Sequence, residues 1–305
     1  MFTLRGLFIS AALAASLMSG AAADAAEKLP VVASFSILGD IVAQVGGDRI
    51  AVSALVGPDQ DAHVYEPTPD DIKKVTRAKL VVVNGLGFEG WMERMAQAAN
   101  YKGEIVVASK GVKAREMADA HEAGREHAEH TDPHAWQDPV NVIGYTGNIV
   151  TALSKLDPAG AATYKKNGDA YIAALKQLDD WAAAQIAAIA PAKRKIITSH
   201  DAFHYFGAHY RIVFIAPQGM STDSEPSARE VAAMISQMKK ERIKAVFIEN
   251  MTSPKLLEQI SRDAGVTVGG KLYSDALSGP QGAAPDYLSM MRYNVGQILD
   301  GLRKN

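Results

Sequence analysis

Three histidines and one aspartate are spread along this chain at nearly even intervals. They are His63, His134, His200 and Asp275, separated by 71, 66 and 75 residues. Each follows an apolar, strand-like run and begins a loop that leads into a helix-like segment. Because the four residues are so distant in sequence, several loops must converge if they are to meet. Three imidazoles and one carboxylate suit a borderline divalent cation, zinc first. The spacing therefore predicts a metal site in a cleft between two halves of the protein.

Apolar runs alternate with amphipathic stretches in both halves of the chain, with about four strand-like runs in each half. This alternation predicts an α/β fold with two lobes, each containing a roughly four-stranded parallel sheet flanked by helices. In an open parallel sheet, ligands bind beyond the carboxyl ends of the strands. All four candidate ligands follow predicted strands, two in each half. The prediction is that the two sheet edges face each other across the cleft.

A long helical segment is predicted between the lobes, over residues 157–190. It begins with Asp157 and Pro158, a capping residue followed by a first-turn proline, and its apolar residues recur at helical spacing. At 1.5 Å per residue it would form a rod of roughly 45–50 Å. The alternative is two consecutive helices with a bend near Asn167 and Gly168. A rigid connector of this kind predicts restricted motion between the lobes.

The first residues have the pattern of a secretory signal peptide: one positive charge, an apolar run over residues 7–18, and then several alanines. A short membrane anchor is the alternative, but the apolar run is too short to span a bilayer comfortably. The predicted division is a signal peptide over 1–26, a first lobe over 27–156, the connecting helix, and a second lobe over 191–305.

The chain contains no cysteine. Thiolate metal ligands, disulfides and a lipid-modified cysteine are therefore excluded, and histidine and carboxylate must carry any zinc chemistry. The predicted product is a soluble protein in the periplasm after cleavage of the signal peptide. The formal net charge is -2, so nothing in the composition indicates a nucleic-acid partner.

Four segments around the candidate ligands resemble those of a known family, the zinc/manganese-type periplasmic solute-binding proteins of metal ABC transporters (cluster A-I, or cluster 9). The segments are Asp61–Pro67, Asp132–Pro139, Ser199–Phe203 and Leu272–Leu277. The resemblance implies two lobes joined by a long helix, with a metal ion in the cleft as the transported ligand. It carries metal-ligand roles onto the quartet defined above, and it implies a membrane permease as partner. A periplasmic metallochaperone as a further partner and a monomeric state are also expected.

The third ligand position bears on the identity of the metal. Manganese-type relatives typically carry Glu there, whereas this chain carries His200, as zinc-type relatives do. Imidazole favours zinc over the harder manganese, and the Irving–Williams order adds to that preference. The predicted function is a high-affinity zinc receptor that catalyses no reaction. The alternatives are a manganese or iron receptor of the same family and a zinc-dependent hydrolase. Four protein ligands and the absence of an HExxH helix argue against the hydrolase.

Four carboxylates are candidates for orienting a ligand imidazole through its second ring nitrogen. They are Glu66, Asp138, Asp201 and Glu249, the last of these a weaker candidate. Simpler roles are open for three of them. Asp138 precedes Pro139 and would cap the next helix, Asp201 would lie at a helix N-terminus, and Glu66 would pair with a neighbouring helix or with backbone.

A polar loop over residues 117–131 carries His121, His127 and His130. Zinc-type relatives often have a longer loop at this place that is rich in histidine and acidic residues. The two interpretations are a low-affinity zinc collector that feeds His134 and a solvated, mobile loop. His204 and His209, which follow His200, are interpreted as ordinary surface or packing residues.

Overall fold

The structure is a computed structural model that describes residues 27–118, 129–223 and 225–305. The predicted signal peptide over 1–26 lies outside the described residues. Within those ranges, none of the helices combines the length and the apolar character needed to cross a membrane.

The first lobe is built on a four-stranded parallel sheet with the order β2-β1-β3-β4. The strands are β1 (Leu29–Phe35), β2 (Ile50–Val56), β3 (Leu80–Val83) and β4 (Glu104–Val107). The central strand β3 is an uninterrupted run of leucine and valine, and all four of its residues are buried. Such runs are typical of parallel strands that are covered on both faces. The predicted four-stranded parallel sheet of this lobe is therefore confirmed.

Three helices connect these strands: α1 (Ser36–Gly46), α2 (Pro69–Arg77) and α3 (Met92–Ala98). The start of α2 is fixed by a capping box. The Thr68 side chain accepts a hydrogen bond from the Asp71 backbone, and the Asp71 side chain accepts one from the Thr68 backbone.

Two long helices lie side by side at the border of the lobes: α4 (Pro139–Leu156) and α5 (Ala161–Ala187). Helix α5 is continuous through Asn167 and Gly168, so the predicted alternative with a bend is wrong. Its 27 residues extend about 40 Å, somewhat less than predicted, because a short 3-10 turn precedes it. Gly168 allows the two helices to approach closely, since a Cβ at this position would lie 2.4 Å from Val150 Cγ2.

The predicted polar loop contains a short antiparallel hairpin formed by β5 (Glu116–Ala118) and β6 (Glu129–Thr131). His130 lies in β6, where its backbone pairs with Met117. His121 and His127 lie outside the described residues.

In its described residues, 191–223 and 225–305, the second lobe contains four short strands and four helices. Strands β7 (Lys195–Ile197) and β8 (Val213–Ile215) form one parallel pair, and β9 (Ile248–Glu249) and β10 (Lys271–Leu272) form another. One bridge between Ile197 and Val246 joins the two pairs. Strand β10 is short, and it is preceded by two consecutive glycines, Gly269 and Gly270, which weaken strand pairing. The helices are α6 (His204–Tyr210), α7 (Ala228–Glu241), α8 (Lys255–Ala264) and α9 (Tyr287–Leu302).

The main hydrophobic core extends across the border of the lobes. Phe35 and Trp136 from the first lobe belong to the same buried cluster as Phe206 and Tyr287 from the second. The Tyr287 hydroxyl donates to the Trp136 carbonyl at 2.7 Å. The lobes therefore meet over buried apolar side chains, which agrees with the predicted restriction of their motion.

His209 on α6 lies between a carboxylate of the first lobe and a carboxylate of the connecting helix, rather than being an ordinary surface residue. Its Nε2 lies 2.8 Å from Asp179 Oδ1 on α5, and its Nδ1 lies 3.4 Å from Asp138 Oδ2. The Tyr210 hydroxyl also donates to Asp179 Oδ1, at 2.8 Å. The Asp138 carboxylate, together with that of Asp179, raises the pKa of His209 to about 9, although partial burial opposes the charge.

We expect His209→Gln to destabilise the protein more at pH 6 than at pH 10. Since the folded-state pKa is raised above the unfolded value of about 6.5, the stabilisation is fully present below that value and is lost as the pH rises through about 9. The effect at pH 6 should be on the order of 1 kcal/mol, measured by thermal unfolding. Tyr210→Phe is the matched control, since it removes a neutral donor to the same carboxylate. Equal destabilisation by His209→Gln at both pH values would contradict the expectation.

Candidate metal centre

The fold brings the four predicted ligands together. One ligand atom from each of His63, His134, His200 and Asp275 lies within 4.8 Å of all the others. His63 Nε2 lies 3.2 Å from His134 Nε2 and 3.2 Å from Asp275 Oδ2. Asp275 Oδ2 lies 3.1 Å from His200 Nε2, and Asp275 Oδ1 lies 3.8 Å from His134 Nε2. Candidate ligands from both lobes are thus grouped around one possible metal position.

Three of these separations, at 3.1–3.2 Å, are close to those expected around a small divalent cation. Bonds of about 2.0–2.1 Å in a tetrahedral zinc site place neighbouring ligand atoms about 3.3 Å apart. Both Asp275 oxygens and His200 Nε2 are buried, and they have no hydrogen-bond partner in the described part of the chain. Buried polar groups without partners are costly, and a metal ion at the centre would satisfy all three atoms.

The centre is nearly closed to solvent. The side chains of His134, His200 and Asp275 are fully buried, and that of His63 is 6% exposed. His63 is also the only one of the four that lines the adjoining cavity of about 1040 Å³, together with Phe88 and with Pro217 of the second lobe. An ion would thus reach the centre on the side of His63.

Glu249, the weaker of the carboxylate candidates, lies against the ring of His200. Its Oε2 lies 2.6 Å from His200 Nδ1, and its Oε1 accepts hydrogen bonds from the backbone N–H groups of Ser199 and His200. The carboxylate lies at the end of β9 and is buried. By occupying Nδ1 it turns Nε2 of His200 towards the centre.

Asp132 is placed to orient the ring of His134 in the same way, and this role was not predicted from the sequence. Its Oδ1 lies 2.8 Å from His134 Nδ1 and accepts the backbone N–H of His134 at 2.9 Å. The signal was present in the chain as an Asp-x-His repeat. Asp61 likewise accepts the backbone N–H of His63 at 2.9 Å. An aspartate whose side chain accepts the backbone N–H two residues later fixes the backbone position of that later residue.

The other three candidate carboxylates show no contact with a ligand imidazole within the part of the chain that the structure describes. Asp138 Oδ1 accepts the Val140 N–H, which caps α4, and its Oδ2 faces His209. Asp201 Oδ1 lies 2.9 Å from His204 Nε2, because its side chain follows the start of α6 rather than the ring of His200. Glu66 is exposed to solvent. For Asp138 the simpler prediction, a helix cap, is confirmed.

The segment that carries Asp275 is fastened to the first lobe. The Ser274 carbonyl accepts hydrogen bonds from Trp136 Nε1 at 2.8 Å and from Gln137 Nε2 at 2.7 Å. The Leu277 N–H donates to Ser36 Oγ at 3.0 Å. Trp136 therefore helps to set the position of the Asp275 carboxylate.

The electrostatics of the centre keep its carboxylate ionised. Burial alone would raise the pKa of Asp275, but His200 and His134 hold it well below its usual range. Burial disfavours a charged His200, yet Glu249 and Asp275 raise the pKa of its imidazole well above the ordinary value. A metal ion that binds Nε2 has to displace this proton, so protons and metal ions compete for the centre.

We expect Glu249→Gln to lower the metal affinity by about 10- to 100-fold, because the substitution removes the charge that orients and polarises His200. Competition against a chromophoric chelator at fixed pH measures the change. Glu66→Gln is the matched control, since it makes the same chemical change at an exposed site. An affinity of Glu249→Gln within threefold of the unmodified protein would contradict the orienting role.

Comparison with known proteins identifies the family. Residues 31–301 match the model of the family described as "ZnuA: Zinc-uptake complex component A periplasmic". The chain belongs to this family. It is 32% identical over 276 residues to the manganese-binding lipoprotein MntA of Halalkalibacterium halodurans, which is 90% of this chain and 89% of the relative. It is 32% identical over 307 residues to the iron ABC transporter substrate-binding lipoprotein MtsA of Streptococcus pyogenes, which is 98% and 97% of the two chains.

The fold agrees with a solved structure of the periplasmic zinc-binding protein TroA from Treponema pallidum, with a TM-score of 0.82 and 26% identity. The match covers 90% of this chain and 99% of TroA. The predicted fold class, two α/β lobes joined by a long helix, is thus confirmed. The protein is a metal-binding receptor of an ABC transporter, and a membrane permease with its ATPase is the implied partner. Members of this family are receptors rather than enzymes.

Proposed function

We propose that this protein is a periplasmic zinc receptor that binds Zn²⁺ with high affinity through His63, His134, His200 and Asp275 and delivers it to its permease. The observation that carries the proposal is the convergence of three imidazole Nε2 atoms and one carboxylate, all within 4.8 Å of one another and with three separations of 3.1–3.2 Å. Four protein ligands in a nearly closed centre suit a carried ion. A catalytic zinc usually keeps an open position for water, which weighs against the zinc-dependent hydrolase.

Zinc is favoured over manganese by the nature of the ligands and over iron by the Irving–Williams order. Imidazole nitrogen suits zinc, whereas manganese prefers a higher share of oxygen ligands. The alternative is a manganese or iron receptor, and it is supported by relatives named for manganese and iron. The residue of this chain that bears most on the choice of metal is His200 at the third ligand position, with Glu249 beside its ring.

We further propose that the mature protein is monomeric and free in the periplasm. The chain offers no cysteine for lipid attachment, although several relatives are named as lipoproteins. Cell fractionation, followed by detection with an antibody against the protein, tests whether the protein is free in the periplasm. We propose in addition that zinc from a periplasmic donor, such as a metallochaperone, is collected by the loop histidines and passed to the cleft. These histidines are His121, His127 and His130.

Growth and uptake, rather than affinity alone, test the choice of metal. By the Irving–Williams order almost any such site binds Zn²⁺ more tightly than Mn²⁺ in vitro. The informative experiment deletes the gene and measures growth and radioactive metal uptake under zinc limitation and, separately, under manganese or iron limitation. The zinc proposal predicts a defect only under zinc limitation, restored by the intact gene and not by a His134→Ala gene. A defect confined to manganese or iron limitation would establish the alternative.

A further inference from the structure

We propose that His204 is a positioning residue of the metal centre: from the second lobe it holds the carboxylate of Asp132 and, through that carboxylate, the ligand His134 of the first lobe. The inference rests on the proposed role of His134 as a metal ligand. It gives a specific task to a histidine that the sequence alone marked as an ordinary surface or packing residue.

The contacts of His204 define this role. It is the first residue of α6, and its ring lies between two carboxylates. Its Nε2 is 2.9 Å from Asp201 Oδ1, and its Nδ1 is 3.7 Å from Asp132 Oδ2. Asp132 Oδ2 and His204 Nδ1 are both buried, and neither has a hydrogen-bond partner within the described ranges. At 3.7 Å the two atoms form an ion pair when His204 is protonated, while Asp132 Oδ1 is in contact with His134.

The next residue of the same helix holds the backbone of Asp132. The Tyr205 hydroxyl donates to the Asp132 carbonyl at 3.0 Å and accepts the Arg115 backbone N–H at 3.0 Å. Two successive residues at the start of α6 thus fix both the main chain and the side chain of Asp132. Because α6 follows His200 closely, one short segment of the second lobe supplies a ligand and also supports a ligand of the other lobe.

The buried charges around the metal centre provide a second argument for the positioning role of His204. Three carboxylates are buried at or next to the ligands: Asp132, Glu249 and Asp275. A divalent ion with neutral imidazoles offsets two of these negative charges. Burial disfavours the charged form of His204, but Asp201 and Asp132 outweigh it and raise its pKa. The imidazolium then lies between Asp201, which is partly exposed to solvent, and the buried Asp132, and it keeps Asp132 in place beside His134.

His209 provides a matched control on the same helix. It also pairs with two carboxylates and also joins α6 to the first lobe. Its partners are Asp138 and Asp179, which do not contact the ligands in the described structure. A general loss of contact between the lobes would affect both histidines, whereas a positioning role would affect His204 alone.

The test compares His204→Gln, His204→Lys and His209→Gln in the full mature protein. Each is titrated with Zn²⁺ against a chelator, and each is loaded with Co²⁺, whose visible spectrum reports the ligand geometry. We expect His204→Gln to lower the zinc affinity by about 10-fold and to shift the cobalt spectrum. His204→Lys keeps the positive charge and should restore most of the affinity. His209→Gln should leave the affinity and the spectrum unchanged.

The outcomes separate this inference from the proposed function. If Asp132→Asn lowers the affinity but His204→Gln changes neither the affinity nor the cobalt spectrum, the role of His204 is overturned while the zinc receptor stands. Equal effects of His204→Gln and His209→Gln would also overturn it. If His134→Ala binds zinc normally, the metal site itself is wrong. If His204→Gln does not fold, His204→Asn is measured in the same assays, and the same outcomes decide whether His204 positions Asp132.

Discussion

Asp275→Asn is expected to lower the affinity for zinc by at least about 100-fold, beyond the range typical of residues that merely orient a ligand. Asp275 is the only anionic member of the quartet, and its two oxygens approach all three imidazoles, at 3.1–3.8 Å. Asparagine keeps the shape of the side chain but removes its charge. A divalent ion would then lie among neutral ligands in a buried centre, where an uncompensated charge is costly.

Chelator competition measures this loss, and circular dichroism verifies that the variant is folded. Asp59→Asn is a suitable control, because Asp59 is an exposed aspartate whose backbone contacts the same loop at Leu277. If Asp275 served only to release the ion, Asp275→Asn would change the dissociation rate and keep the affinity within a few-fold. That result would remove Asp275 from the ligand set.

The second large effect is expected from His200→Glu. A carboxylate at this position should favour manganese relative to zinc, because it replaces a nitrogen ligand by a harder oxygen ligand. The structure adds a complication that the sequence did not show. Glu249 Oε2 lies 2.6 Å from the ring that would be replaced, so the new carboxylate would meet an existing one. We therefore expect His200→Glu alone to weaken the binding of both metals.

The double variant His200→Glu with Glu249→Gln removes that repulsion. We expect it to recover metal binding, with a ratio of zinc to manganese affinity at least about 10-fold lower than in the unmodified protein. Competition between the two metals, with the bound metal determined by mass spectrometry, measures the ratio. A ratio that stays unchanged in a folded double variant would show that the third ligand does not set the preference.

The main features of the centre were predictable from the sequence because they depend on local patterns. Apolar runs placed the strands, and the position of each candidate ligand after a strand brought all four to facing sheet edges. Glu249 also ends a strand, so the same rule indicated it. The fold class was predictable from the alternation of strands and helices, which parallel sheets require.

The missed features depend on contacts between distant segments. The pairing of Asp138 and Asp179 with His209 depends on how three helices pack, and no local pattern encodes it. The approach of His204 to Asp132 likewise joins residues of different lobes. Asp132 was the exception, because the Asp-x-His spacing that it shares with Asp61 is local and was available in the sequence.

The hydrogen bonds on the Ser274 carbonyl change how the quartet is divided between the lobes. By chain position, two ligands belong to each lobe. Trp136, Gln137 and Ser36 bind the segment of Asp275 from the first lobe. Asn250 and Asn294 bind the same segment from the second lobe, through the Ala276 carbonyl and the Tyr273 backbone. The quartet therefore consists of two ligands of the first lobe, one of the second, and Asp275 on a segment that is bonded to both. Any change in the spacing of the lobes would act on this carboxylate from both sides.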